Sequence, residues 1–320
     1  MTRTEAMLPD LTDEVKRQGR ALGADEITVA TVERWNEPPP FDTKTVPVYP
    51  HSGYRPSELM PSTRSVVMVA VRLLDGVVDT TTTACRTTGV QGNFGYVFLN
   101  RRLNEITHGL ASWLEARGYR SAPMGYNIGA RYDPEADADD SIIAPAYGLF
   151  SMKRAAVLAG LGRKAKNGLV ASPQYGTRIR LGAVLSQAPL SADPLLEGDP
   201  CPPSCDICWR VCPTRAISRE GRVGHLRCFA DAGRSGTSYQ EVKEEFKKRY
   251  PPDLPGVDYT GNDYLAIDGF GNRLCKIACV ALCPLGERPL SDVMRRVRGF
   301  AEVVPPVSLQ GFPAAHDFEA

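Results

Sequence analysis

No run of about 18 consecutive apolar residues occurs anywhere in the 320-residue chain, so no segment reads as a transmembrane helix. The first residues, "MTRTEAMLPDLTDEVKRQG", lack the apolar core of a secretory signal and the paired arginines of a twin-arginine signal, which points to a cytoplasmic protein with no membrane role. Charge is not in surplus either. The 38 Lys and Arg face 37 Asp and Glu, and a net charge of +1 gives no whole-chain attraction for a polyanion. No Gly-x-Gly-x2-Gly follows a predicted strand and no Walker motif is present, which removes the usual NAD and ATP sites. No repeat of 20 to 50 residues suggests a solenoid.

What the chain has in plenty is cysteine, unevenly placed. Of nine cysteines, Cys85 stands alone and eight lie between 201 and 283. In a reducing compartment such a set points to metal ligation or redox chemistry in preference to disulfides. Cys201, Cys205, Cys208 and Cys212 in "CPPSCDICWRVCP" are spaced x3, x2, x3 and followed by Pro213; Cys275, Cys279 and Cys283 are spaced x3, x3 and followed by Pro284. Both are close variants of the bacterial ferredoxin run Cys-x2-Cys-x2-Cys-x3-Cys-Pro, in which three ligands wrap one cubane and the fourth reaches the other. A short loop can aim three thiolates at three cluster corners, and the proline that ends it removes a backbone donor.

Two [4Fe-4S] clusters need eight thiolates. The two motifs supply seven, and Cys228 in "HLRCFADAG" completes the set. The crossed pattern assigns Cys201, Cys205, Cys208 and Cys283 to one cluster and Cys212, Cys228, Cys275 and Cys279 to the other. Two zinc sites would also use eight thiolates, but zinc ribbons separate their ligands into Cys-x2-Cys knuckles, which this spacing does not match. Cys85 reads as a small packed residue, and His225 as a structural histidine or a hydrogen-bond donor to a cluster.

The preceding chain reads as mixed α and β. Helices are expected over 11–24, 98–119 and 151–161, and strands over 26–33, 65–74 and 178–186. The run "SVVMVAVRLL" suits a central strand buried on both faces. Leu99, Leu103, Ile106, Leu110 and Leu114 form one apolar stripe. Texture changes near 190, which sets an expected division into 1–190, a cysteine-rich unit at 191–303, and a tail at 304–320.

The stretch "KRAAVLAGLGRKAKNGLVASPQYGTRIRLGAVLSQAPL" (153–190), followed by both cysteine motifs, resembles the epoxyqueuosine reductase and reductive dehalogenase superfamily, whose members carry AAxxAGLGxxGKNxLLxxPxYGxRxRLxxVLTDxPL before a two-cluster domain. The resemblance implies an α+β fold, with a nitroreductase-like corrinoid-type domain followed by a bacterial-ferredoxin-like two-[4Fe-4S] domain. It implies cobalamin as a further cofactor, with Gly160, Gly162, Lys166, Asn167 and Gly168 lining its site. It also implies reductive removal of a halide or oxygen, with Tyr147, twelve residues before Ala159, as the proton donor and Asp139 and Asp140 as weaker candidates. Arg163 and Ala165 stand where Trp and Gly are common, a departure beside the expected corrinoid pocket. The short tail after Cys283 and the balanced charge argue for a small-molecule substrate and against nucleic acid. Electrons would come from an external donor such as a ferredoxin or flavodoxin. The alternatives are an electron-transfer protein without its own substrate, and a tRNA epoxyqueuosine reductase.

Overall fold

A computed structural model describes residues 10–36, 54–80, 93–125, 130–132, 146–148, 150–221, 223 and 278–303. In chain order its elements are α1 (Leu11–Ala21), β1 (Glu26–Thr31), β2 (Ser65–Arg72), α2 (Asp75–Asp79), α3 (Phe98–Glu115), β3 (Ser121–Met124), β4 (Ala130–Tyr132), β5 (Ala146–Gly148), α4 (Met152–Leu158), β6 (Arg163–Lys164), β7 (Val170–Ala171), β8 (Ile179–Ser186), α5 (Ile207–Val211), α6 (Ala278–Ala281) and α7 (Leu290–Val303). The mixture of helices with an antiparallel sheet is an α+β architecture.

Four strands form the main sheet in the order β1-β2-β8-β3, all pairs antiparallel. The β2 strand lies between β1 and β8, with Glu26 opposite Ala70 and Ser65 opposite Ser186. Seven of its eight residues are buried, as its unbroken apolar run requires. Because side chains alternate across a strand, Val67, Val69 and Val71 enter one core layer with Val15, Leu103, Ile106, Leu110 and Leu114 from α1 and α3. Val66, Met68 and Ala70 enter the opposite layer with Ala155, Ala156 and Leu158 from α4. The sheet is therefore covered on both faces.

Local chemistry sets the helix ends. Asp10 caps α1 by accepting the Thr12 N–H at 3.2 Å, with Asp13 and Glu14 in the positive first turn. Ser151 caps α4 through the Arg154 N–H at 3.3 Å. The α3 helix stops short of residue 119 because Tyr119 N–H bonds Leu114 O and Gly118 N–H bonds Glu115 O, the Schellman pattern.

Glu26 opens β1 half-buried, and one carboxylate oxygen has no partner. Burial pushes its pKa above the ordinary carboxylate value, opposed by a Ser172 hydrogen bond and aided by the Asp25 charge. A carboxyl whose folded pKa is raised favours folding while protonated and opposes it once ionised. Glu26→Gln is therefore expected to raise the melting temperature at pH 7, with the gain fading as pH falls through the raised folded pKa and gone below about 4.5, where the carboxyl is protonated in both states. Melting curves of both proteins at the two pH values check this.

Candidate functional site

The cysteine segment is held by a small core of its own. Ile207 and Val211 of α5 pack with Ala278 of α6, with Leu282, and with Val293, Val297 and Phe300 of α7, and Cys205 lies against this group. Cys208 lies within α5 and Cys212 just beyond its end, while Cys279 lies within α6 and Cys283 just beyond. None of the six described cysteines forms a disulfide, and Cys201 and Cys283 are buried.

Four of them are electrostatic neighbours. Burial pushes the Cys208 thiol up to about 12, and the next contributions are the charges of Cys283, Cys201 and Cys205, in that order. Burial likewise pushes the Cys201 thiol up to about 11, against a lowering by the Lys166 N–H, with Cys283 again ahead of Cys205. A buried group of thiols that would repel as thiolates calls for a cationic centre among them. Soft thiolate donors suit iron in a cluster. Among the described residues, no three His, Cys, Asp or Glu side chains converge as ligands of a single ion. Zinc would draw its thiolates to within about 4 Å of each other, given Zn–S bonds of about 2.3 Å, whereas a cubane spreads them over a wider cage.

Of the second predicted quartet, Cys212 accepts the Ala216 N–H at 3.2 Å and lies 3.6 Å from Thr214 Oγ1. Cys228 and Cys275 lie outside the described residues, as do Cys85, His225, Asp139 and Asp140. Tyr147 sits in β5, its backbone opposite Arg131 of β4.

The residues assigned to a corrinoid from the resemblance serve the seam between sheet and cysteines. Within "AKNGL", Lys166, Asn167 and Gly168 form a three-residue hairpin loop between β6 and β7, closed by the Ala165 N–H to Leu169 O bond; Asn167 Oδ1 accepts the Leu169 N–H, and Gly168 supplies the positive φ of 75°. From this loop Lys166 donates its N–H to Cys201 Sγ at 3.3 Å, and its ammonium reaches Pro203 O at 2.8 Å and Cys205 O at 3.1 Å. Asn167 is buried and donates to Cys279 O at 2.7 Å. A Cβ on Gly160 would lie 2.0 Å from Pro194 O, one on Gly162 2.5 Å from Ala171 O, and one on Gly168 2.9 Å from Val223 Cγ2. All five thus turn their side chains, or the direction a side chain would take, toward the chain itself and not toward a cofactor. Arg163 anchors the approach to Cys201, donating to Gly198 O at 2.9 Å and Leu196 O at 3.1 Å, while Ala165 is buried against Ala171, Cys201 and Leu285.

Sequence reasoning missed the other half of this seam. Arg178, 5% exposed, donates from Nη1 to Cys283 O at 2.9 Å and Leu285 O at 3.0 Å. Beside it, the Ser172–Gly176 turn meets residues 285–287, with Glu287 N–H bonded to Gln174 O at 2.9 Å. Gly176 has φ +58°, and a Cβ there would lie 2.1 Å from Leu285 O, so this approach requires glycine. Arg288 and Arg296 add ion pairs to Asp75 and Asp79 of α2. The cues in the sequence were the paired arginines of "RIRLGAVLS", Arg178 and Arg180, which match the family's YGxRxRL, without any sign of what Arg178 would bond.

Two curated relatives are epoxyqueuosine reductases. The protein from Pseudomonas aeruginosa is 24% identical over 285 residues, which cover 84% of this chain and 68% of that protein. The one from Lactococcus garvieae is 33% identical over 150 residues, or 47% of this chain and 36% of that protein. Among solved structures, an epoxyqueuosine reductase with an epoxyqueuosine-modified tRNA-Tyr stem loop superposes with a TM-score of 0.51 at 20% identity, covering 93% of this chain and 71% of that one. Reductive dehalogenases also occur among the structural neighbours. No protein-family profile matches the chain. The named relatives are oxidoreductases, and the superfamily resemblance of residues 153–190 is supported.

These findings correct the expected partners. A small-molecule substrate and the exclusion of nucleic acid conflict with relatives named for epoxyqueuosine and with a neighbour solved with a tRNA stem loop. The physical reason is that net charge averages over the whole surface and reports nothing about a local patch. One cationic patch adjoins the cysteines. The Arg219 guanidinium lies 4.3 Å and that of Arg215 5.2 Å from the centroid of the Trp209 ring, next to Cys208, and Arg215 holds a positive φ of 52°. Among the described residues, no helix is long and apolar enough to cross a membrane.

Proposed function

We propose that this chain is a cytoplasmic iron–sulfur reductase of the epoxyqueuosine reductase type, which deoxygenates an epoxide on a modified nucleoside of tRNA. The observation that carries the reading is the gathering of Cys201, Cys205, Cys208 and Cys283, with Cys212 and Cys279 on the same two short helices. In this reading, the four hold one [4Fe-4S] cluster, and Cys212, Cys228, Cys275 and Cys279 hold the second, in a ferredoxin-like unit behind a nitroreductase-like one. Bound there, the clusters supply single electrons at low potential.

Removal of an epoxide oxygen as water breaks two C–O bonds and consumes two electrons and two protons, which suits a chain that passes electrons singly. Tyr147 is the candidate proton donor, on the strength of its place before the AGLG stretch. A phenol can donate a proton as charge builds on the leaving oxygen. The resemblance adds a corrinoid. The five residues it nominates do not fit that role: Lys166 and Asn167 bond to the cysteine arms, and Gly160, Gly162 and Gly168 lie against Pro194, Ala171 and Val223. Trp209 with Arg215 and Arg219 offers stacking and phosphate contacts of the kind single-stranded RNA uses.

The test is anaerobic incubation of the purified protein and a chemical reductant with a tRNA stem loop carrying the epoxide, followed by mass analysis of the nucleosides. The expected result is loss of one oxygen atom, with stem-loop binding that weakens steeply as salt rises. An iron-loaded protein that neither binds the stem loop nor converts it would overturn the reading.

A further inference from the structure

We infer that Lys166 is a positioning residue that raises the reduction potential of the cluster held by Cys201, Cys205, Cys208 and Cys283, so that the sheet unit itself tunes the redox centre it faces. This rests on the ligand assignment above. Lys166 meets the first cysteine loop twice. Its N–H points at Cys201 Sγ at 3.3 Å, and its ammonium spans Pro203 O and Cys205 O at 2.8 and 3.1 Å. Both ammonium acceptors are neutral carbonyls, and among the described residues no carboxylate pairs with it, so its positive charge stays uncancelled beside the thiolates. Its backbone is held from behind, where a Cβ on Gly221 would lie only 2.9 Å from Lys166 Cα. Arg178 places a second cation at the opposite arm, on the carbonyl of Cys283.

One-electron reduction of a cysteine-bound cluster by a low-potential reductant adds one negative charge and takes up no proton. A nearby fixed cation stabilises the more negative state more, and a hydrogen bond to a ligand sulfur acts in the same direction. The N–H contact to Cys201 Sγ is partly buried, whereas the ammonium's bond to Pro203 O faces solvent, so the charge effect is the one that added salt should weaken. Lys166 lies on the β6–β7 loop of the sheet unit, so the cluster whose potential it raises is the one that faces the sheet.

Potentials read this directly. Anaerobically purified holoprotein is titrated with dithionite and followed by EPR, alongside Lys166→Met and Lys166→Arg. The Met variant keeps the backbone N–H to Cys201 and loses the charge together with the two ammonium bonds to Pro203 O and Cys205 O. With iron content unchanged, it is expected to lower the midpoint of one cluster and leave the other in place, and the Arg variant is expected to restore most of the loss. A Met variant with full iron and both midpoints unmoved overturns the inference, as does an equal shift of both. Should the Met variant lose iron, Lys166→Gln, which keeps a donor for the two carbonyls without charge, is titrated in its place. Iron loss there too makes Lys166 a purely structural clamp and likewise overturns the inference. Wild-type protein without a cluster signal sinks the ligand assignment itself, a result distinct from unmoved potentials in a loaded protein.

Discussion

Cys283→Ala is expected to halve the iron of anaerobically purified protein, from about eight to about four per chain, and to leave the EPR signal of one cluster intact. Cys208→Ala, seventy-five positions earlier in the chain, is expected to give the same result. The reason is electrostatic: after burial, the largest influence on the Cys208 thiol is Cys283, ahead of both Cys201 and Cys205 from its own motif. A buried thiol influenced by a cysteine this far along the chain is what the proposed crossed assignment expects. Cys212→Ala and Cys279→Ala should remove the complementary signal. If Cys283→Ala instead matched Cys279→Ala and differed from Cys208→Ala, each motif would hold its own cluster and the crossed assignment would be wrong. Reduction of the stem loop should be lost in all four variants, because the electron path is broken at either cluster.

The parts of the fold that the sequence announced are those in which one short stretch carries the whole signal. The burial of β2 on both faces and the stripe from Leu99 to Leu114 each follow from a window of fewer than about twenty residues. The cysteine loops are legible for the same reason, since ligand spacing is a local property. The seam was not legible. Lys166 and Arg178 bond to backbone carbonyls of Pro203, Cys205, Cys283 and Leu285, and every residue type offers a carbonyl, so the acceptor leaves no trace in the sequence. Lys166 and Asn167 were marked as important from the resemblance, but their direction could only come from the fold. The misjudged substrate class has a similar origin. A total charge cannot register that Trp209, Arg215 and Arg219 come together beside a cysteine helix.

Arg178→Met is expected to cost on the order of 3 kcal/mol of stability and to make the first cluster labile. Two charge-assisted hydrogen bonds disappear, and the carbonyls of Cys283 and Leu285 are left unpaired where the arginine was buried. Each orphaned buried acceptor costs about 1–3 kcal/mol. Part is offset, because burial already opposes the guanidinium charge and pulls its pKa down to about 10, so removing the charge relieves desolvation. At that value the side chain remains a cation at neutral pH, and the bonds lost are ionic ones. A penalty of this size corresponds to roughly 4–5 °C in melting temperature for a 320-residue chain. Arg178→Lys should recover part of it, since an ammonium also donates to carbonyls but sits on a shorter side chain than the Nη1 that serves both. Thermal melts, with iron release timed under air, distinguish the outcomes. A Met variant that melts with the wild type and keeps its iron as long would show that the C-terminal arm is held by the Gly176 approach and the Asp75 and Asp79 ion pairs alone, with Arg178 a passenger.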